Sequence, residues 1–502
     1  MTTTLVQLSP KPGPRGPFVP FRFRPIGDAV LLTNPIGEWA FVTPDELRAL
    51  HAGEVAPGSD LFEKLRAAHF VRDEAETARL AKRAHEQKSF LDHGPNLHVL
   101  VVTLRCNQSC AYCHASRADM AATETDMSLE TAEKVVDRAL QSTSPSITLE
   151  FQGGEPLVVF PTIRHVVEYA KKKNRAYGKT IEFTLVSNLT LMDEEKLRFL
   201  LENRVQICTS IDGPPPLHDK QRRLTGSSEG TFHTAARWIA RINEAYVAMG
   251  LDPVLYHVEA LLTTTREALA QPKAIVDTYV DLGCRALFLR PLDPFGFAAR
   301  SGKTLGYSVS DFLAYYRAAV DYVVELNRSG VQVLERFAAI FLRKILTGED
   351  PNYLDLRNPC GAGIGQIAYA HDGRVYTCDE GRMMASMGDP FFAIGTVDDP
   401  YRKLVTHPTV RALLVASNLD AQPDCVSCAF APYCGVCPVH NYRTQGSLFG
   451  RMRESTWCAV HKGIQDYLFE KLLQNDPHVI ETFRRWTTVR SRTHFLQTCE
   501  AT

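Results

Sequence analysis

From residue 97 to about residue 290, short apolar runs alternate with stretches whose apolar positions recur every three to four residues. Runs of four to eight apolar residues mark buried strands, and the longer period marks amphipathic helices. Strands are expected at 97–104, 147–151, 181–186, 205–211, 255–262 and 286–289, with helices between them, among them 128–140 and 231–248. Repeated strand–helix units predict an α/β fold with a parallel sheet and helices outside it. Two more helices are expected at 308–327 and 334–346.

The N-terminal region has another rhythm. Pro10, Pro12, Pro14 and Pro17 suggest a flexible lead. Short strands are expected at 29–33 and 38–43, joined by a turn at Asn34-Pro35-Ile36-Gly37. Thr43 is a natural N-cap for a helix opening at Pro44, with Asp45 and Glu46 at its positive end. A second helix covers 60–68, and the charged stretch 74–88 reads as a helical linker.

Composition narrows the classes. Lys plus Arg number 56 against 57 Asp plus Glu, which gives no reason to expect nucleic acid or an anionic membrane as a partner. No apolar run reaches the roughly 18 residues of a membrane span, and 1–20 lacks the apolar core of a signal peptide. A cytoplasmic protein is the expectation. In that reducing compartment 13 cysteines point to metal rather than to disulfides.

Three of them, Cys106, Cys110 and Cys113, sit at spacings of four and three residues just after the first strand. Three thiolates in one loop can hold three irons of a [4Fe–4S] cluster and leave the fourth iron open to a small molecule. Zinc is the competing reading, but it takes four ligands, and His114 beside Cys113 is poorly placed as a fourth. With Tyr112 before the last cysteine, the loop resembles the CxxxCxxC signature of radical S-adenosylmethionine (SAM) enzymes, in which SAM occupies the open iron. That resemblance implies a partial (β/α)6 barrel, with the site at the C-terminal strand ends.

The following motifs extend it. Gly153-Gly154-Glu155-Pro156, after the second strand, could be an ordinary turn. It resembles the family element that binds the SAM amino group, the glycines allowing close approach and Glu155 accepting from an ammonium. Ser187 and Asn188 resemble the ribose-contacting position. Ser210 and Arg222 resemble the pair that holds the SAM carboxylate, a task suited to the planar guanidinium fork. Strand-end capping and a surface arginine are the bland alternatives for that pair.

Near the C-terminus lie Cys360, Cys378, Cys425, Cys428, Cys434, Cys437 and Cys458, with Gly373 five residues before Cys378. This order resembles the SPASM extension of peptide-modifying radical SAM enzymes, although only Gly435 and Val436 separate Cys434 from Cys437, where the family usually has three residues. The resemblance implies two auxiliary [4Fe–4S] clusters. Cys360, Cys378 and Cys437 would hold the first, and Cys425, Cys428, Cys434 and Cys458 the second. No cysteine lies in 361–377, so the first cluster would have an open iron or a non-cysteine ligand. A zinc ribbon would also use Cys-x2-Cys pairs. Cys208, Cys284 and Cys499 fit no cluster spacing. Asp379 matches a position proposed as general base in sulfatase-maturing relatives; its alternative is to hold cluster-loop amides.

The implied organisation is a winged-helix-like leader-peptide domain and linker (18–90), a radical SAM core (96–330), a helical connector (331–355), a SPASM domain (356–475) and a tail (476–502). For the first of these, a structural cap on the core is an equally good reading. The implied activity is reductive cleavage of SAM to a 5′-deoxyadenosyl radical that takes a hydrogen from a ribosomally made peptide or protein. A small carrier such as flavodoxin or ferredoxin would supply the electron. The segments 20–23, 292–298 and 378–383 resemble the HxsB maturases of His-Xaa-Ser systems, which implies a His-Xaa-Ser substrate and an oxidative cross-link. Formylglycine formation in a sulfatase, and an iron–sulfur carrier without its own chemistry, are the alternatives.

Overall fold

The computed structural model describes residues 17–351 and 356–497. The proline-rich lead before Pro17, residues 352–355 of the expected connector, and Cys499 lie outside them. At the N-terminus β1 (Arg22–Ile26), β2 (Ala29–Thr33) and β3 (Trp39–Val42) form an antiparallel sheet in that order. β1 is not among the expected strands; as an outer strand it tolerates Pro25 and its missing N–H. Helix α1 (Pro44–Ala52) opens with a full capping box: Thr43 Oγ1 accepts from Glu46 N at 3.1 Å, and Glu46 Oε2 accepts from Thr43 N at 2.7 Å. Then come α2 (Asp60–Ala67) and α3 (Glu74–Lys88). Leu32, Val42, Leu65 and Phe70 form the small core of this unit. α3 is tied back to the sheet through Arg79 on Glu38 and Gln87 on the Ile36 carbonyl.

The central unit runs β4 (Leu97–Thr103), β5 (Gln108–Cys110), α4 (Leu129–Leu140), β6 (Ser146–Gly153), α5 (Phe160–Asn174), β7 (Thr180–Val186), α6 (Glu194–Glu202) and β8 (Gln206–Ser210). It continues with α7 (Pro215–Gln221), β9 (Arg222–Leu224), α8 (Phe232–Ala248), β10 (Glu259–Thr263), α9 (Pro272–Asp281), β11 (Ala286–Leu287) and β12 (Leu289–Arg290). Strands β4, β6, β7, β8, β10 and β12 are parallel and adjacent in sequence order, over a core that includes Leu149, Phe151, Phe183, Leu185 and Ile207. This is the arrangement that strand–helix repeats require.

Two strands depart from the pattern. The expected strand at 255–262 starts only at Glu259, because Asp252 O takes the amides of Leu255 and Tyr256 in a turn. The run at 286–289 is broken: β11 pairs with β13 (Leu334–Glu335) and β12 with β10. β13 also takes the expected start of a helix.

After β12 follow α10 (Ala298–Leu305), α11 (Val309–Arg328), and, beyond β13, α12 (Arg336–Thr347). The C-terminal region then extends the central sheet. β14 (Gln366–Tyr369) adds parallel to β4, and β15 (Arg374–Tyr376) and β16 (Ala393–Thr396) continue antiparallel, with α13 (Asp379–Ser386) between them. Helices α14 (Tyr401–Val405), α15 (Pro408–Ser417), α16 (Pro438–Gln445), α17 (Thr456–Gln474) and α18 (Pro477–Trp486) complete the unit. The final strand β17 (Leu496–Gln497) pairs with Glu182 and Ile181 at the start of β7, below the point where β8 joins it. Among the described residues no helix is long and apolar enough to cross a membrane.

Candidate active site

The loops after β4, β6, β7 and β8 meet at one end of the sheet, where their C-termini lie side by side. The cysteine loop leaves β4 at Leu104 and is fixed at several points. Arg105 forks onto Asp126, Ala118 N bonds Leu104 O at 2.6 Å, and β5 pairs antiparallel with β9, placing Cys110 opposite Arg222. Cys106, Cys110 and Cys113 lie within electrostatic reach of one another. Burial pushes the Cys106 thiol up to about 12 and the Cys110 thiol up to about 11. Gln108 N points at Cys106 Sγ, 3.4 Å away, as an amide does when it stabilises sulfur-borne negative charge.

Gly153 and Gly154 allow a close approach, but the neighbour is the chain itself. A Cβ at Gly153 (φ +150°) would lie 2.1 Å from Thr103 O, and one at Gly154 would lie 2.3 Å from Arg105 O. The amides of Gly154 and Glu155 bond those same carbonyls at 2.9 and 2.8 Å. The glycines therefore clamp the β6 end onto the root of the cysteine loop. The fully buried Glu155 carboxylate accepts from Leu157 N, Ser187 Oγ and Asn188 N at 3.0, 2.7 and 2.7 Å. Burial raises its pKa and these donors hold it down. It thus locks the β7 loop to the β6 loop. Asn188 in turn bonds Asn107 and Thr190.

Ser210 ends β8. Two residues on, Asp212 is the hinge of the site and was not singled out in the sequence. Both its oxygens accept from Tyr112 Oη at 2.6 and 2.5 Å, and it accepts from Arg222 Nε at 3.1 Å. Arg222 also lies over the Tyr112 ring at 5.4 Å and reaches Cys110 Sγ at 3.9 Å. Burial opposes its charge, yet Asp212, Tyr112 and Cys110 hold that charge firmly, above its ordinary range. The signal available in sequence was only a carboxylate just past a strand end.

The seven cysteines from Cys360 to Cys458 form two groups. Cys378 lies within electrostatic reach of Cys360 and Cys437. Cys378 and Cys437 are the N-caps of α13 and α16, and their sulfurs accept from Gly381 N at 3.3 Å and His440 N at 3.4 Å. Burial pushes the Cys378 thiol well up, and the Gly381 amide at the α13 N-terminus works against that shift. The second group is Cys425, Cys428, Cys434 and Cys458. It borders the N-terminal sheet: Arg24, paired with Asp466 at 2.5 Å, faces Cys428 and Cys458, and Thr33 Oγ1 bonds Ala429 O. Cys208 and Cys284 stand apart from both groups, with thiols that burial makes reluctant to ionise.

Among the described residues, no three His, Cys, Asp or Glu side chains converge as ligands of a single metal ion. A cubane makes a different demand, because each thiolate takes its own iron. The three groups offer three, three and four thiols, and backbone amides point at sulfur in two of them, at Cys106 and at Cys378 and Cys437.

Asp379 is almost buried and pairs with Arg382 at 2.7 Å. Arg382 also reaches Ala115 O at 3.4 Å, in the segment after Cys113. The carboxylate thus bonds a guanidinium, which neither sequence reading of Asp379 included. Asp379 lies within electrostatic reach of both His114 and Glu150, so α13 stands near the cysteine loop and β6.

Residues 100–259 match the family model of the radical SAM superfamily. The chain is 23% identical over 335 residues to the cysteine-type anaerobic sulfatase-maturating enzyme of Clostridium novyi, covering 66% of this chain and 83% of that enzyme. In fold it is similar to native anSMEcpe with bound AdoMet and Kp18Cys peptide (TM-score 0.62, 21% identity, 78% of this chain and 100% of that one). It is also similar to Streptococcus suis SuiB bound to precursor peptide SuiA (TM-score 0.51, 14% identity, 87% and 98%). With the cysteine loop at the C-terminal strand ends inside the matched segment, the chain is a radical SAM enzyme.

Proposed function

We propose that the chain is a maturase that modifies a ribosomally made peptide or protein of the His-Xaa-Ser type by oxidative cross-linking. The observation that carries this reading is the division of ten cysteines into one group of three at the strand ends and two C-terminal groups. In it the six parallel strands serve as a partial (β/α)6 barrel, and Cys106, Cys110 and Cys113 hold the [4Fe–4S] cluster. SAM bound there supplies a hydrogen-abstracting radical. Arg222 and Ser210 hold the carboxylate end of SAM, with Tyr112 and Asp212 keeping Arg222 in place. Glu155, Ser187 and Asn188 shape the ammonium and ribose end. The two C-terminal groups would hold auxiliary clusters, which would supply one-electron acceptors.

Asp379 takes the proton released as the substrate radical is oxidised, and Arg382 orients its carboxylate. The N-terminal sheet takes up the leader segment along an outer strand. Structures of similar fold carrying a substrate peptide support a peptide as partner. Co-expression with the neighbouring short reading frame, followed by mass spectrometry, tests the proposal. A loss of two hydrogens located to a His-Xaa-Ser unit is expected, and an unmodified peptide overturns it.

Likeness over 83% of a sulfatase-maturating enzyme favours formylglycine formation as the second reading. An aldehyde on a sulfatase Cys or Ser, detected with a hydrazide probe, would establish that reading instead.

A further inference from the structure

The strand β5 that carries Cys110 has an outer face as well as an inner one. Its partner β9 sets Arg223 opposite Ser109, and both residues line a cavity of about 770 Å³ together with Ala111, Lys220, Arg266 and Thr304. A second cavity of about 510 Å³ continues from Arg266 past Lys303 and Asp311. Helix α10 forms the far wall and is pinned to the cysteine loop by Ser301 Oγ on Ala111 O at 3.3 Å. The result is a groove running along the outside of the loop.

Its charge is unlike that of the whole chain, which carries a net charge of −1. Lys220, Arg223, Arg266 and Lys303 are exposed along it. Glu267 is engaged by Lys220 at 2.8 Å and Asp311 caps α11, so four basic side chains stand against two carboxylates and the lining stays net basic. The lining contains no residue of the C-terminal region. That region meets the cysteine loop from another side, through Arg382 on Ala115 O. The groove is therefore separate from the space that Asp379 faces.

We propose that this groove docks an acidic, low-potential one-electron carrier protein that reduces the group held by Cys106, Cys110 and Cys113. The inference rests on the radical SAM reading and adds the partner's place and charge. The step balances simply: the carrier loses one electron, the cluster gains one, and no bond or proton changes. Basic surfaces steer acidic partners, raising association rates by about tenfold to a thousandfold in a salt-sensitive way. Arg223 sits on β9 opposite Ser109, the neighbour of Cys110, so a carrier seated there lies against the strand that bears that cysteine.

The test uses the full-length, cluster-loaded enzyme and flavodoxin hydroquinone as reductant. Cluster reduction is followed by electron paramagnetic resonance under single-turnover conditions, with dithionite in parallel. R223E/K303E should reduce the flavodoxin-driven rate at least about tenfold at low salt, while R223K stays near wild type. Wild type should slow with added salt, and dithionite should reduce all forms equally. Equal flavodoxin rates in wild type and R223E/K303E overturn the proposal. So does a variant that keeps those rates but loses affinity for the substrate peptide, which would make the groove a peptide track. Absence of a reducible cluster in wild type with dithionite overturns the proposal together with the reading beneath it.

Discussion

The Phe297 amide donates to the Cys113 carbonyl at 2.8 Å, joining the cysteine loop to the segment that follows β12. The preceding Gly296 makes the approach possible. Its φ is +57°, and a Cβ there would lie 2.4 Å from His114 O and 2.6 Å from Cys113 O. On its other side, Phe295 is buried with Cys360 and Cys378, and Pro294 O accepts from Arg443 at 3.1 Å. The four residues from Pro294 to Phe297 thus connect the strand-end cysteines with a C-terminal group.

G296A should therefore displace the cysteine loop. Left-handed backbone strain costs about 1–3 kcal/mol, and the backbone contacts cannot relax as a side-chain tip would. The expected result is lower stability to urea, and loss of up to about four irons per chain on reconstitution. G302A is the control, because a Cβ at Gly302 on α10 meets nothing within 4 Å. It should stabilise the helix by about 0.5–1 kcal/mol. Equal iron content in both variants would show that the Gly296 contact does not position the loop.

The Asp212–Arg222 pair gives a second expectation. The two side chains are 0% and 11% exposed. Removing one partner of a buried ion pair leaves the other uncompensated and costs about 3–5 kcal/mol. D212A should cost that much, and D212A/R222M should be more stable than D212A alone, because the stranded guanidinium is gone. A double-mutant cycle in chemical denaturation measures the difference. R222M alone strands the fully buried Asp212 carboxylate, so it should lose a comparable amount of stability besides weakening SAM binding.

These contacts mark where the sequence stops being readable. The cysteine loop, the strand–helix alternation and the Thr43 cap are local patterns, and periodicity and spacing report them directly. Asp212 is not legible, because its meaning lies in Tyr112 and Arg222, 100 and 10 residues away along the chain. β14 is not legible either: four residues pair in parallel with β4 from more than 260 positions away. A short apolar segment carries no mark of its partner strand. The glycines of Gly153-Gly154 were readable as close-approach residues. What they approach, the carbonyls of Thr103 and Arg105, is a tertiary fact.

The C-terminal tail supplies the pH-dependent prediction. Arg490 pairs with Glu259 at 2.9 Å inside the sheet's lower end and lies over Tyr256 and Phe495, while Arg336 binds the other Glu259 oxygen. Burial by itself would raise this carboxyl, but Arg336 and Arg490 bring it down to about 2 from an ordinary 4.5. A depressed carboxylate stabilises the fold fully above its unfolded pKa and loses that contribution as pH falls through its folded pKa. R490M should therefore be less stable than wild type at pH 7 by about 1–3 kcal/mol. The gap should narrow as pH drops from about 4.5 toward 2. Urea midpoints at pH 7, 4 and 3 test this, and a gap that stays constant down to pH 3 would assign the loss to aromatic packing instead.

The three strand-end cysteines set the last expectation. Cys106 accepts an amide at its sulfur and Cys110 faces Arg222, so their thiolates are stabilised from opposite sides of one loop. The C-terminal groups lie on other elements, capped by α13 and α16 or set against Arg24. Replacing Cys106, Cys110 and Cys113 together by alanine should leave those groups loaded. Wild type should reconstitute with about twelve irons per chain and the triple variant with about eight, as three and two [4Fe–4S] clusters require. The variant should form no 5′-deoxyadenosine, because its remaining clusters lie away from Arg222 and Glu155. Retained SAM cleavage in the variant would place the reaction at a C-terminal group, and a wild-type value near four irons would leave those seven cysteines without clusters.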